Sequence, residues 1–368
     1  MTQQLAKQNI DFDVDHNVYI IGAGFSTKAN LPVMGNFLEE MQKVRQSGGV
    51  NSKLASSIDS LLKFRKRSAS AAERMNVDLD NIETLLSLAV LTDNEAIEKD
   101  AAMAISGTLS LLQAKFYKNN NTIESNFYDS ALRLMLGGGD AVDAERKNTF
   151  ITLNYDTILE QSFTNIGVNF GYGIRVGKPG QLDISAVQPT VAEKGKLPLV
   201  LKIHGSVNWN TRENEDEEVD NTESSDAPKQ RTVYSSFDDL INSNGAPYIL
   251  PPTWRKQPDW LFGKVWSKAI ERLQTATRII FIGYSFPLSD QHVKYLLTAG
   301  LQQNISLSKV VVVDRNPEVY NRVSGVFSHS YKKIVHPDCG VPIHEFFHIG
   351  ANVGLWLNSL EEINRSSN

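Results

Sequence analysis

The chain has 368 residues and a mass of 41.0 kDa, enough for one large or two ordinary domains with a substantial core. Hydrophobic residues make up 41% and charged residues 21%, the balance of a soluble globular protein. Thirty-seven Lys and Arg stand against 42 Asp and Glu, a net charge of -5, so there is no overall basic surface for counterion release and no direct nucleic-acid binding is expected.

The stretch from Met1 to Asp15 has neither the basic start nor the apolar run of a signal peptide. No apolar run in the chain approaches the roughly 18 residues of a membrane span, and a cytoplasmic protein with no membrane association is expected. The one cysteine, Cys339, excludes an intramolecular disulfide and a multi-cysteine zinc site, and points to a reducing compartment.

In chain order, five short apolar runs rich in β-branched residues read as buried parallel strands: Val18–Ile21, Thr149–Leu153, Leu199–Ile203, Arg278–Ile282 and Val310–Val313. Helical patterns follow three of them, at Tyr155–Phe163, Asp290–Leu301 and Pro317–Val326. Strand, turn and helix repeated in this way predict an α/β fold, a Rossmann-like doubly wound parallel sheet. Between the first two runs lie about 110 residues without a convincing strand, far beyond an ordinary crossover. Apolar spacing of three and four at Ser52–Phe64, Asn81–Leu91, Ile97–Phe116 and Ile123–Leu136 predicts helices there. The expected organisation is a nucleotide-binding core of 1–35 and 146–350, a large inserted helical module over 36–145, and a C-terminal helix and tail over 351–368. Within the core, the acidic and almost entirely polar stretch 210–231 reads as a solvated flexible loop, with a partner-binding patch as the alternative.

The first strand runs into Gly22-Ala23-Gly24-Phe25-Ser26, glycines placed where backbone amides can approach a pyrophosphate and Ser26 can add a hydroxyl. The third glycine of the dinucleotide fingerprint is replaced by Thr27, so the match is partial, and a plain tight turn packing helix on strand is the alternative. The second and third strands end in Thr152-Leu153-Asn154-Tyr155-Asp156 and Lys202-Ile203-His204-Gly205-Ser206, beside the crevice where open α/β sheets bind ligands. Asn154 offers donors and an acceptor that can hold a water or a ribose hydroxyl, and an imidazole such as His204 can accept a proton near neutrality. Their structural alternatives are a helix cap at Asn154 and a satisfied buried histidine at 204. The fourth and fifth strands lead to Gly283-Tyr284-Ser285 and to Asp314-Arg315-Asn316-Pro317. Gly283 and Ser285 suit phosphate or ribose oxygens and Asp314 or Asn316 an adenosine ribose, although Ser289, Asp290 and Asn316 also suit helix starts.

With those segments in place the chain resembles the bacterial sirtuin-like proteins, a divergent branch of the sirtuin superfamily. The resemblance rests on Gly22–Ser26 with Leu31-Pro32, Thr152–Asp156, Lys202–Ser206, Gly283–Ser285 and Asn316-Pro317-Glu318, in the family's order. It implies that Asn154 and His204 are catalytic, that Asp156 contacts the carboxamide or developing positive charge, and that Gly22, Ala23, Gly24, Phe25, Ser26, Pro32, Gly283, Ser285, Asp314 and Asn316 serve binding. The sirtuin four-cysteine zinc module is missing after the His-Gly motif, and the nicotinamide-pocket segment is here Asn30-Leu31-Pro32-Val33-Met34-Gly35. Protein deacylation is therefore disfavoured. Members with a helical insertion and no zinc module resemble NAD-consuming effectors of bacterial anti-phage defence.

The resemblance thus implies an NAD+ glycohydrolase that takes NAD as substrate without a metal, yielding nicotinamide and ADP-ribose in an abortive infection response. It also implies a homo-oligomer, often controlled by a partner such as a HerA-type ATPase. The rivals are a non-catalytic module that binds NAD or ADP-ribose, a dehydrogenase supported only by the Gly-rich turn, and the deacylase. Trp209, Trp254, Trp260, Trp266 and Trp356 read as packing residues, with Trp209 close enough in sequence to His204 to stack near the site. Cys339 with His336, His344 and His348 fits no standard zinc spacing.

Overall fold

The computed structural model describes residues 16–119, 123–136, 147–174, 176–177, 197–213, 231–252, 260–287, 290–307, 309–314, 316–334 and 345–350. The stretch 1–15, most of the acidic run, Ser289, Cys339, His336, His344, Trp254, Trp356 and the expected C-terminal helix and tail over 351–368 lie outside them. Its elements run β1 (His16–Ile21), α1 (Phe37–Gln46), α2 (Ser52–Arg74), α3 (Ile82–Leu91), α4 (Glu95–Asn119), α5 (Ile123–Met135), β2 (Lys147–Thr152), α6 (Ile158–Asn165), β3 (Val176–Gly177) and β4 (Leu199–Lys202). They continue through β5 (Gly205–Glu213), β6 (Arg231–Val233), α7 (Phe237–Asn242), β7 (Pro247–Ile249), α8 (Trp260–Gln274), β8 (Arg278–Ile282), α9 (Gln291–Leu301), β9 (Lys309–Asp314), α10 (Pro317–Ile334) and β10 (Glu345–Gly350).

Six strands form one sheet in the order β10-β9-β8-β1-β2-β4, every pair parallel. The chain starts in the middle at β1, builds outward through β2 and β4, then returns to β1's other side with β8, β9 and β10. This is the doubly wound nucleotide-binding order, and it creates a crevice at the carboxyl ends of β1 and β8 where the winding reverses. Strands covered on both faces must be apolar on both, and Val18, Tyr19, Ile20 and Ile21 are all buried, as are Val310 to Val313. Each such side chain contributes roughly 1.5–3 kcal/mol relative to exposure.

The five runs read as strands all lie in this sheet. The sixth strand, β10, lies where no strand was expected. A second sheet of four strands, β3-β6-β5-β7, was also not anticipated. It trims the expected acidic loop at both ends, since β5 runs on to Glu213 and β6 begins at Arg231. Strands of two and three residues are defined by their partners, so composition alone does not announce them.

Between β1 and β2 the described elements are two 3-10 segments, Ala23–Ala29 and Met34–Asn36, and the α-helices α1 to α5. Asn51 and Asn81 cap α2 and α3, their side-chain oxygens accepting from Leu54 N at 2.8 Å and Glu83 N at 2.9 Å. Leu54, Ile58 and Leu61 recur on one face of α2 and are buried, the stripe by which a helix joins a core.

At the opposite, amino-terminal edge of the sheet, His16 is buried between two hydroxyls. Its Nδ1 lies 3.0 Å from Thr275 Oγ1 and its Nε2 lies 3.0 Å from Thr149 Oγ1. Burial, reinforced by the nearby cations of Arg272 and Lys147, holds its pKa down at about 3, against an ordinary 6.5. The unfolded chain therefore binds a proton between those values that the folded chain rejects, and stability is lost as pH falls through that window. Urea unfolding at several pH values is expected to show this loss, and His16→Asn to remove about 1.4 kcal/mol per pH unit of the slope near pH 5. An unchanged slope would contradict this account of His16.

Candidate active site

The turn after β1 is a short 3-10 segment, Ala23–Ala29, rather than the long helix of a dinucleotide fold. It packs directly on the turn after β8. Gly22 N donates to Ile282 O at 3.1 Å, Gly24 N donates to Gly283 O at 2.8 Å, and Phe25 N donates to Gly22 O at 3.0 Å. A Cβ on Gly24 would fall 2.7 Å from both the Cα and the O of Gly283. The glycines are thus required because two backbones meet, and their own N–H groups are already occupied. This corrects the expectation that Gly22 and Gly24 amides stand free for a pyrophosphate. Ala23 opens the 3-10 segment, where the first N–H groups have no acceptor within the helix.

A cavity of about 390 Å³ opens over these turns. Gly22, Ala23, Gly24, Ser26 and Pro32 line it from the first turn and its sequel, and Asn154 and Asp156 from the end of β2. His204 lines it from the end of β4, Gly283 and Ser285 from β8, and Asp314 from β9. Phe25 and Asn316 are not among the lining residues. Phe25 is buried against Tyr128, their rings 5.2 Å apart, and Asn316 takes the helix-start role, its Oδ1 accepting from Glu318 N at 3.0 Å. Asp314 Oδ1 accepts from Asn316 N at 2.8 Å, bracing the same turn.

Asn154 does not cap a helix, since α6 begins only at Ile158 with Thr157 before it. Its Nδ2 instead donates to Gly22 O at 3.0 Å and to Ser26 Oγ at 3.1 Å. A main-chain carbonyl can only accept, so these bonds fix which end of the amide is nitrogen and leave Oδ1 available to the cavity. The Ser26 hydroxyl donates to Asp156 Oδ2 at 2.8 Å, and Asp156 Oδ1 accepts from Ile158 N at 3.2 Å. Ser26, expected to donate to a phosphate, is therefore committed to the protein. Burial pushes the Asp156 carboxyl above the usual range, opposed by Lys202 and by the Ser26 hydroxyl.

His204 is buried and sits between β4 and β5, its carbonyl accepting from Leu250 N at 2.8 Å. Its ring lies 6.4 Å from that of Tyr155, whose hydroxyl donates to Leu250 O at 2.6 Å. The following Gly205 has φ +82, and a Cβ there would lie 2.2 Å from Tyr248 O. Glycine alone lets the chain reverse after His204 and pair with β7. Trp266 Nε1 donates to Ile203 O at 3.0 Å, supporting the strand end from behind. Trp209 packs away from the site, with its ring against Tyr172 at 5.2 Å.

Sequence reasoning missed the contributions from the helices preceding β2. Glu83 of α3 and Leu109 of α4 line the cavity. Gln113 of α4 exchanges two bonds with Thr157, Nε2 donating to Oγ1 at 2.7 Å and Oε1 accepting from Thr157 N at 3.1 Å. Nothing in local spacing signals such contacts. Lys202 is different, because a lone cation inside an apolar strand run signals a buried partner, which is Glu160 at 2.8 Å. Among the described residues no group of three or more His, Cys, Asp or Glu is placed to hold a metal, and no helix is long and apolar enough to cross a membrane.

The family model of the SIR2-like domain matches residues 148–331, half of the chain, and the protein belongs to that family. Among solved structures, a Sir2 homologue triple mutant with 2′-O-acetyl-ADP-ribose aligns over 100% of this chain and 98% of its own, at 14% identity and a TM-score of 0.42. A Sir2 homologue mutant with ADP-ribose covers 100% and 98% at 12% identity and 0.40. A Sir2 homologue with NAD covers 97% and 91% at 14% identity and 0.40. No curated protein matches.

Gly205→Ala is expected to cost about 1–3 kcal/mol or more, because the added methyl meets main-chain atoms that cannot step aside. Gly35→Ala, where a Cβ meets nothing within 4 Å, is the matched control. Equal urea midpoints for the two variants would contradict this account of the turn.

Proposed function

We propose that this protein is an NAD+ glycohydrolase that converts NAD+ and water to nicotinamide and ADP-ribose, acting as an abortive-infection effector in anti-phage defence. One observation carries the reading. Asn154 and His204, 50 residues apart at the ends of two neighbouring strands, line one cavity at the reversal point of the sheet, together with the turn 22–26. Membership of the SIR2-like family supports the choice of nucleotide. The five helices between β1 and β2 support treating 36–145 as an insertion in a core of 1–35 and 146–350.

The leaving nicotinamide is already cationic and departs without protonation, so the enzyme's work is to stabilise an oxocarbenium-like ribose and to place a water. Asn154 Oδ1 accepts a hydrogen bond from that water or from a ribose hydroxyl, its NH2 group being held elsewhere. His204 accepts the proton released as the water oxygen bonds to the anomeric carbon. Asp156 contacts the carboxamide or the developing positive charge, and the Ala23 N–H at the start of the 3-10 segment is the donor left to the diphosphate. Ser285 and Asp314 take ribose hydroxyls at the β8 and β9 ends. Homo-oligomer assembly and a regulatory partner of the HerA ATPase type belong to the same reading, since an uncontrolled NAD+ glycohydrolase would deplete its own cell.

Nicotinamide release measured by chromatography tests this, with the purified chain alone and with a HerA-type ATPase. Asn154→Ala and His204→Ala are each expected to lower the rate about 100-fold or more while remaining folded. The ATPase is expected to raise the rate of the unsubstituted chain. Folded variants with the parental rate would refute the roles given to Asn154 and His204. Tight ADP-ribose binding with no nicotinamide release under either condition would favour a binding module.

A further inference from the structure

Lys202 is the last residue of β4, two positions before His204, and is fully buried. Its Nζ donates to Glu160 Oε1 at 2.8 Å and to the main-chain carbonyl of Asp156. Glu160 is buried on α6, four residues beyond Asp156, and the Tyr172 hydroxyl donates weakly to it at 3.5 Å. Two charges withdrawn from water in this way add little to stability compared with well-packed apolar residues. What the ammonium does, and an apolar side chain could not, is hold a carbonyl in the turn that carries Asn154 and Asp156.

That turn is bonded on its other sides as well. Val207 N donates to Tyr155 O at 3.0 Å, and Gln113 holds Thr157. We propose that Lys202 is a positioning residue for NAD+ hydrolysis: its bond to the Asp156 carbonyl fixes the Asn154–Thr157 turn from beneath, with Glu160 as the counter-charge that keeps the ammonium in place. The inference rests on the hydrolase reading above. Lys202 touches no reacting atom and acts through Asn154 and Asp156.

The test compares Lys202→Met with the double variant Lys202→Met, Glu160→Leu. The single variant leaves Glu160 buried without its partner and is expected to melt at lower temperature. The double variant removes both charges and is expected to recover the parental melting temperature, because the apolar pair needs no counter-ion. Its kcat for nicotinamide release is nonetheless expected to stay about tenfold or more below the parent with KM for NAD+ little changed, the signature of a displaced but intact site. Hydrogen exchange supplies the second readout. The turn amides of Asn154, Thr157 and Ile158, which donate to Thr152 Oγ1, Gln113 Oε1 and Asp156 Oδ1, are expected to exchange faster in the double variant.

A double variant with parental kcat and parental exchange would overturn the proposal, and so would a kcat loss in the single variant that disappears when stability is restored. If the unsubstituted chain releases no nicotinamide, the hydrolase reading fails. In that event exchange in the turn still decides whether Lys202 holds it.

Discussion

The site depends on one amide. Asn154, at the end of β2, spends both its protons on the neighbouring first turn, one on Gly22 O and one on Ser26 Oγ, and Ser26 in turn spends its proton on Asp156. The bonds join two strand ends that are far apart in the chain and orient three polar side chains at once. In a buried setting each is worth more than in water, and each is costly to leave unmade. The consequence is directional: the amide's carbonyl oxygen is what Asn154 can offer to the cavity.

Around this network the sheet supplies position and the helices before β2 supply a wall. The reversal of strand order between β1 and β8 opens the crevice, and the close contact of Gly24 with Gly283 closes its floor. From the other side α4 presents Leu109 to the cavity and Gln113 to Thr157. The turn that carries Asn154 and Asp156 therefore touches a helix that lies outside the sheet layer, through the two bonds between Gln113 and Thr157.

Much of the sheet was legible in the sequence because buried parallel strands must be apolar on both faces, and Val18–Ile21 or Val310–Val313 could hardly be anything else. The gathering of strand ends on one edge followed from the same pattern, and it brought Asn154 and His204 to one cavity. The details of donors and acceptors were not legible. That Gly24 N points to Gly283 O, or that Ser26 serves Asp156 rather than a phosphate, depends on contacts between residues more than a hundred positions apart. Asn316 illustrates the reverse, a residue whose local helix-start signal outweighed its place at a strand end. The small sheet escaped notice because β3, β6 and β7 are too short to carry a pattern, and Lys202 escaped although its charge inside Leu199–Ile203 was visible.

The most direct measurement of the central claim is a crystal structure with ADP-ribose. The account predicts the diphosphate against the 22–26 turn and the anomeric carbon between the Asn154 carbonyl oxygen and the His204 ring, with the Asn154 NH2 still bonded to Gly22 and Ser26. ADP-ribose seated away from that turn, or Asn154 rotated so that its NH2 faces the ligand, would contradict it.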